Sequence, residues 1–331
     1  MTVPTLTSHH TFHLPANCKA VCHFTTPDEF LLNWRGSACS YLLGGGSNTL
    51  FLSDFDGTVF INGMRGIEVN TSEDTYRLRV AGGENWHNLV THCLNNGWYG
   101  LENLALIPGS AGAAPIQNIG AYGLEVGRYI ESVEYIDITT GEQHALSNDE
   151  CEFGYRDSVF KRRLSGNVLI TYVNFRLPVD NELIVSYGEL ATLKDPTPES
   201  IYNKVIEVRK AKLPDPDLLG NAGSFFKNPV ITAASYEQIK KTYGEVPGFA
   251  AESGKKVPAA WLIDQCGFKG RETGGVRCHP TQPLVLTNTG NASGEDVIKM
   301  ARDIISAVDK KFDIQLEPEV RLVGKSGVIT L

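Results

Sequence analysis

Short runs of alternating and β-branched positions fill much of the chain, separated by a few stretches of helical period. AVCHF (20–24), SYLL (40–43), TVFIN (58–62) and YRLRVAGG (76–83) read as strands, as do 130–138 and 168–177. TPDE at 26–29 resembles a capping box with Pro27 at the first helical position, opening a helix toward Trp34. Glu84 to Asn96 places Trp86, Leu89, Val90, Cys93 and Leu94 on one helical face, with Gly97 as the stop. TPESIYNKVIEVRKAK (197–212) is a capped amphipathic helix ending in Arg209, Lys210 and Lys212, and LPDPD after it marks a boundary. Further on, 258–266 and 293–312 predict helices, and 283–288 and 313–323 predict strands. Strands mixed with helices, without a strict βαβ rhythm or an internal repeat, predict α+β domains.

Three stretches fit neither period. LALIPGSAGAAPIQNIGAYG (104–123) is too loop-like for a helix and too apolar for a linker. A Gly/Ala/Pro run of this kind lets a flat ligand lie against backbone, with Gln117, Asn118 and Tyr122 offering polar contacts; the alternative is a buried irregular loop. GGGSN (44–48) follows a strand, where consecutive N–H groups can cradle a pyrophosphate, though a tight hairpin reads the same way and neither GxGxxG nor a Walker ending is present. NAGSFFKNP (221–229) offers a hydroxyl, an ammonium and a carboxamide at Ser224, Lys227 and Asn228, a set suited to an anionic ligand. Phe225 and Phe226 would anchor that loop in apolar surface; a plain surface turn is the competing reading.

Composition narrows the classes. At 331 residues the chain holds two or three domains, and 42% hydrophobic with 21% charged residues is ordinary globular composition. A net charge of −8 argues against general binding to nucleic acid or anionic membrane. Seven cysteines without a CxxC pair argue for reduced thiols rather than a disulfide framework. No HExxH occurs, and His9, His10 and His13 read as a solvated N-terminal stretch, so no metal is expected. A signal-peptide pattern and a long apolar run are both lacking, which predicts a cytoplasmic protein.

Two more motifs carry charge. FGYRDSVFK (153–161) sets Arg156 between Tyr155 and Asp157, where it either grips a carboxylate bidentately or pairs with Asp157. In LEPEVR (316–321), Glu317 and Glu319 share a face if the segment is a strand, with Pro318 limiting it to an edge.

Taken together these motifs resemble the UDP-N-acetylenolpyruvoylglucosamine reductases, a family of bacterial flavoenzymes (the MurB family, long type). GGGSN, IPGSAGAAPIQNIGAYG, FGYRDS, SYGEL (186–190), KLPDP (212–216), GNAGSFFKNP (220–229), WLIDQCG (261–267) and LEPEVR occur in the family's order over nearly the whole chain. SYGEL and an insertion near 240–257 resemble the long type. The resemblance implies an α+β FAD-binding fold of the vanillyl-alcohol-oxidase type in two subdomains, 1–65 (with the 320–331 tail returning to it) and 66–212, plus a substrate domain at 213–319. It implies that Gly44, Gly45, Gly46, Ser47, Asn48, Pro108, Gly109, Ser110, Gly112, Gln117, Asn118, Gly120, Ala121, Tyr122 and Arg209 hold FAD. Arg156, Ser224 and Glu319 would be catalytic, and Tyr187, Lys212, Asn228, Lys269 and Gln282 would hold the UDP-sugar or NADPH. PGFAAES (247–253) offers Phe249 where the long type can carry a substrate-contacting Tyr.

The implied reaction is NADPH-dependent reduction of the enolpyruvyl group to give UDP-N-acetylmuramate for peptidoglycan. The expected protein is a monomer that binds FAD without a covalent bond. Its rivals are an oxygen-using alcohol oxidase on the same fold and a non-catalytic nucleotide-sugar-binding protein. Ser224, Arg156 and Glu319 together argue against the last, because binding alone would not need this set.

Overall fold

A computed structural model describes residues 3–251 and 253–331; Glu252 of PGFAAES, and Met1 and Thr2 of the expected first subdomain, lie outside the described residues. The chain divides into two compact units. A central unit comprises Ala20–Gly45 and Gly57–Ala211; a terminal unit comprises the N-terminal segment to Lys19, Gly46–Asp56 and Lys212–Leu331.

The central unit is built on a five-stranded antiparallel sheet in the order Gln143–Ser147, Ile130–Asp137, Val168–Pro178, Thr75–Ala81, Ile67–Thr71. Alternation decides its faces. Leu78, Val80, Val133, Val173 and Phe175 point to one side, where they share a core with Trp86, Leu89, Val90 and Cys93 of the helix Trp86–Asn95 and with Ile201 and Val205 of the helix Pro198–Lys212. The opposite side carries a polar group on its central strands. Arg79 donates to both carboxylate oxygens of Glu134 at 2.8 Å and lies 3.4 Å over the Tyr172 ring. A second cluster, Phe24, Phe30, Phe60, Met64, Ile138 and Leu169, forms around the helix Pro27–Arg35, which Thr26 caps through its hydroxyl.

In the terminal unit the strands Asn221–Ser224, Val285–Asn288, Val276–Cys278 and Glu272–Thr273 form one antiparallel sheet. The helix Gly294–Phe312 packs Val297, Met300, Ala301, Ile304, Val308 and Phe312 into the core, at the spacing of a single helical face. Its start is fixed by a capping box between Ser293 and Asp296, a feature worth about 1 kcal/mol. The strand Arg321–Gly324 pairs in parallel with Thr49–Phe51.

Two sequence expectations change. The strand expected over 313–323 shrinks to Arg321–Gly324, because Pro318 has no N–H for a ladder and leaves only an isolated bridge to Phe226. The segment 230–256 contains an unexpected helix, Ala233–Tyr243, and a small sheet of Val230–Ile231, Gly254–Lys256 and Phe249–Ala251. Among the described residues no helix is long and apolar enough to cross a membrane.

Candidate active site

In the central unit, the glycine-rich loop is stitched to the start of the helix Trp86–Asn95 by four hydrogen bonds. Gly112 N–H donates to Gly82 O (2.8 Å) and Ala111 N–H to Glu84 O (2.8 Å). Trp86 N–H then donates to Gly109 O (3.1 Å), and Leu106 N–H to His87 Nδ1 (3.0 Å). Glycine is needed because backbone meets backbone. A methyl added at Gly112 would come within 2.9 Å of Gly82 Cα, and one at Gly45 within 2.7 Å of Gly109 Cα. Thus Gly44, Gly45, Pro108, Gly109, Ser110 and Gly112, separated by over 60 residues of sequence, lie on one backbone surface.

Beyond this loop the chain is held in strained conformations. Asn118, Tyr122 and Arg156 are three of the non-glycine residues with positive φ (44°, 50° and 53°). The buried Asn118 side chain works within the protein: Nδ2 donates to Glu125 Oε2 (2.9 Å) and Gly154 O (3.1 Å), and Oδ1 accepts from Gly127 N–H (2.9 Å). It ties the Gln117–Tyr122 turn to FGYRDS. Arg156 Nη2 donates to Gly120 O at 2.8 Å, and a methyl at Gly120 would come within 3.1 Å of Arg156 Nη1. Asp157, the alternative partner from sequence, pairs with Arg162 at 3.2 Å. Asn103 Nδ2 holds Tyr122 O (2.9 Å), and the Tyr122 ring meets Tyr187 edge-on with centroids 6.5 Å apart.

Arg209 completes this group. Its Nε is buried and has no hydrogen-bond partner among the described residues. Burial lowers its guanidinium from the ordinary arginine range, Tyr122 opposes that shift, and the charge of Arg156 adds to it. A buried donor without an acceptor costs about 1–3 kcal/mol, and a second guanidinium nearby raises the cost. An anionic ligand relieves both.

The terminal unit positions a different set. Gly46 has φ +68°, and a methyl there would strike His9 O at 2.0 Å; Thr11 N–H donates to Gly46 O. His10, expected to be solvated, is 2% exposed, and burial pushes its imidazole down to about 4. Asn48 Nδ2 donates to Glu319 O (3.1 Å), and Asn48 O accepts from Arg321 N–H (2.9 Å); Ser47 lies beside it in the same turn.

Ser224 ends its strand half-buried, after Gly223 at φ +67°. The next two residues, Phe225 and Phe226, are each 1% exposed, so the loop is anchored as expected. Glu319 N–H donates to Phe225 O at 2.8 Å, and Lys227 N–H to Glu317 O at 2.9 Å. The bridge across Pro318 therefore brings Glu319 beside the residue that follows Ser224. Glu317 instead pairs with Lys227 Nζ at 2.8 Å. Asn228 Oδ1 caps the helix Ala259–Gln265 by accepting from Ala259 N–H (2.9 Å), Lys269 pairs with Asp264 at 3.4 Å, and Gln282 N–H donates to His279 Nδ1. Asn228, Lys269 and Gln282 are thus each held by a different neighbour.

Sequence reasoning passed over Gly82, His87 and Asn103. The first was visible in a Gly-Gly step ending a strand. His87 and Asn103 carry no motif of their own, since their roles come from backbone groups 19 residues away.

Residues 34–147 match the family model described as FAD binding domain, which makes the chain a flavoprotein of the oxidoreductase class. The residues fit that cofactor: a backbone cradle with no room for a Cβ at Gly45 or Gly112, and an arginine Nε buried without an acceptor, suit a flat ligand carrying phosphates. Residues 215–323 match UDP-N-acetylenolpyruvoylglucosamine reductase, C-terminal domain. The UDP-N-acetylenolpyruvoylglucosamine reductase of Pseudoalteromonas atlantica is 49% identical over 326 residues, covering 97% of this chain and 94% of that one. That of Escherichia coli K12 is 43% identical over 329 residues, covering 97% and 96%. The crystal structure of the Thermus caldophilus enzyme shares the fold with a TM-score of 0.66 at 23% identity, covering 97% of this chain and 99% of that one. The chain belongs to the UDP-N-acetylenolpyruvoylglucosamine reductase family.

Proposed function

We propose that the chain catalyses NADPH-dependent reduction of UDP-N-acetyl-3-O-(1-carboxyvinyl)-glucosamine to UDP-N-acetylmuramate, a step toward peptidoglycan, using non-covalently bound FAD. Supporting this most directly is the Glu319 N–H to Phe225 O hydrogen bond, which ties the backbone of a residue bearing a carboxyl group to the loop that carries Ser224. FAD bound to the glycine cradle supplies the hydride that no side chain can.

The rest falls to side chains. Reducing an enol ether conjugated to a carboxylate needs hydride at one carbon and a proton at its neighbour. Negative charge then develops on the carboxylate oxygens. Arg156, oriented by Gly120 O, stabilises that charge, and Glu319 assists when it carries or shares a proton. Ser224 Oγ–H gives its proton to the carbon; an alcohol can do so only to so strong a base and from a fixed position. Tyr187, Lys212, Asn228, Lys269 and Gln282 hold the diphosphate, the sugar or the NADPH.

In this reading residues 1–65 with 320–331, and 66–212, are the two flavin-holding subdomains, and 213–319 carries substrate. The enzyme works in the cytoplasm as a monomer. Denaturing the purified protein and filtering it tests the cofactor assignment: FAD should pass the filter, and flavin retained on the polypeptide refutes non-covalent binding. Loss of all colour before denaturation refutes the cofactor itself.

A further inference from the structure

The four hydrogen bonds that stitch 106–112 onto 82–87 are not alike. Three run between main-chain groups and follow from the path of the backbone. The fourth goes to a side chain, and it falls where the loop begins. Leu106 has φ +58°, a left-handed conformation that a branched side chain rarely adopts. Its N–H donates to His87 Nδ1 at 3.0 Å. Three residues on, Gly109 turns at φ +123° and lies against Gly45. The Leu106 turn therefore sets the direction from which the cradle is built.

The imidazole is itself held. It stacks on Tyr202 with centroids 5.8 Å apart and planes 13° from parallel, and the Tyr202 hydroxyl is tied to Thr91 Oγ1 at 2.7 Å. The ionisable groups facing it are Tyr202, Arg209 and Lys210, all on the helix Pro198–Lys212. An acceptor at Nδ1 fixes the neutral tautomer with hydrogen on Nε2.

We propose that His87 is a positioning residue for FAD: in its neutral form it pins Leu106 in the left-handed turn and so shapes the 106–112 cradle. This rests on the flavin reading above. Protonation would put a hydrogen on Nδ1, facing the Leu106 N–H, and the pin would be lost. Burial, then Arg209 and Lys210, lower the imidazole from its ordinary value near 6.5. In the folded protein the imidazole therefore protonates only at a pH below 6.5, and the pin is lost as pH falls through that lowered value.

The test is FAD titration of the full-length protein by flavin fluorescence, from pH 8 to pH 5, for wild type, His87→Phe and His87→Asn. Phenylalanine keeps the stack on Tyr202 and removes the acceptor. Asparagine places Oδ1 near the Nδ1 position and cannot be protonated. At pH 8, His87→Phe should weaken FAD binding roughly 10-fold, the scale of one buried hydrogen bond, with His87→Asn within about 3-fold of wild type. On lowering pH below 6.5, wild type should lose affinity while His87→Asn stays flat. Hydrogen exchange at Leu106 should quicken in His87→Phe and not in His87→Asn, which reads the pin without flavin. His87→Phe binding FAD like wild type with Leu106 still protected overturns the proposal. Equal weakening in both variants also overturns it, because packing alone would then explain the effect. Wild type that binds no FAD instead sinks the flavin reading, and the cofactor half of the proposal with it.

Discussion

Substituting Gly45 by alanine tests the backbone cradle at its tightest point. The added Cβ would lie 2.7 Å from Gly109 Cα, 3.2 Å from its carbonyl carbon and 3.4 Å from its nitrogen. Carbon atoms settle near 3.5–4.0 Å, so the two segments must separate by about 1 Å. Neither is a flexible side chain that can swing away. Gly109 is held by its carbonyl to Trp86 N–H, and Gly45 follows directly from the strand Ser40–Leu43 and the step at Gly44. Overpacking of this kind costs about 1–3 kcal/mol. For a unit of this size that is a fall of roughly 3–10 °C in Tm. The contact lies on the proposed flavin surface, so FAD affinity should fall about 10-fold or more, the equivalent of ~1.4 kcal/mol. Gly44→Ala is the control: its Cβ would meet only the Ala113 and Ser110 side chains, at 3.4 Å. Thermal melts of the flavin-stripped protein and FAD titration decide the matter. Gly45→Ala with wild-type Tm and wild-type FAD affinity would refute the cradle, as would equal losses of Tm in both variants.

Three other variants probe separate parts of the account. Ser224→Ala should leave flavin reduction by NADPH nearly intact and slow reoxidation by the enolpyruvyl substrate by ~10²-fold or more; equal slowing of both steps in stopped-flow traces removes Ser224 from proton donation. Lys212→Ala should raise a KM more than it lowers kcat, because a phosphate contact remote from the reacting carbons is uniform binding; unchanged KM for both NADPH and the sugar nucleotide returns Lys212 to a favourable charge at a helix end, worth a few tenths of a kcal/mol at most. Hydrogen bonding from Arg79 lowers the Glu134 carboxyl, so the pair stabilises the fold above the ordinary glutamate value near 4.5 and loses that contribution as pH falls through the lowered one. Glu134→Gln should therefore cost up to about 1 kcal/mol at pH 7 and nothing in strong acid, and a deficit that persists in acid would contradict this.

Much of the fold was legible because its strands and long helices carry their own period. The helix Gly294–Phe312 shows its apolar face and both cap residues in sequence, and its observed start at Gly294 follows Ser293 as that pattern requires. The helix Ala233–Tyr243 escaped because only Ile239 of it is buried, so its face hardly differs from its surroundings. The strand expected over 313–323 failed at Pro318, which was in plain view; the error lay in extending a ladder through a residue without an N–H. At the site, glycine content marked both loops, since backbone contact leaves that trace in composition. The residues that hold those loops were invisible for the opposite reason. The side chain of Asn118 makes three bonds within the protein that no motif announces, and His87 acts on a backbone N–H 19 residues along the chain.

The central claim is that this chain passes hydride from NADPH through FAD to an enolpyruvyl sugar nucleotide. The visible spectrum of the purified full-length protein tests it most directly, recorded without air before NADPH, after NADPH, and after UDP-N-acetyl-3-O-(1-carboxyvinyl)-glucosamine. The account predicts an oxidised flavin spectrum, bleached by NADPH and restored by the sugar nucleotide in the absence of oxygen. A flavin that NADPH leaves coloured, or that only oxygen restores, would contradict it.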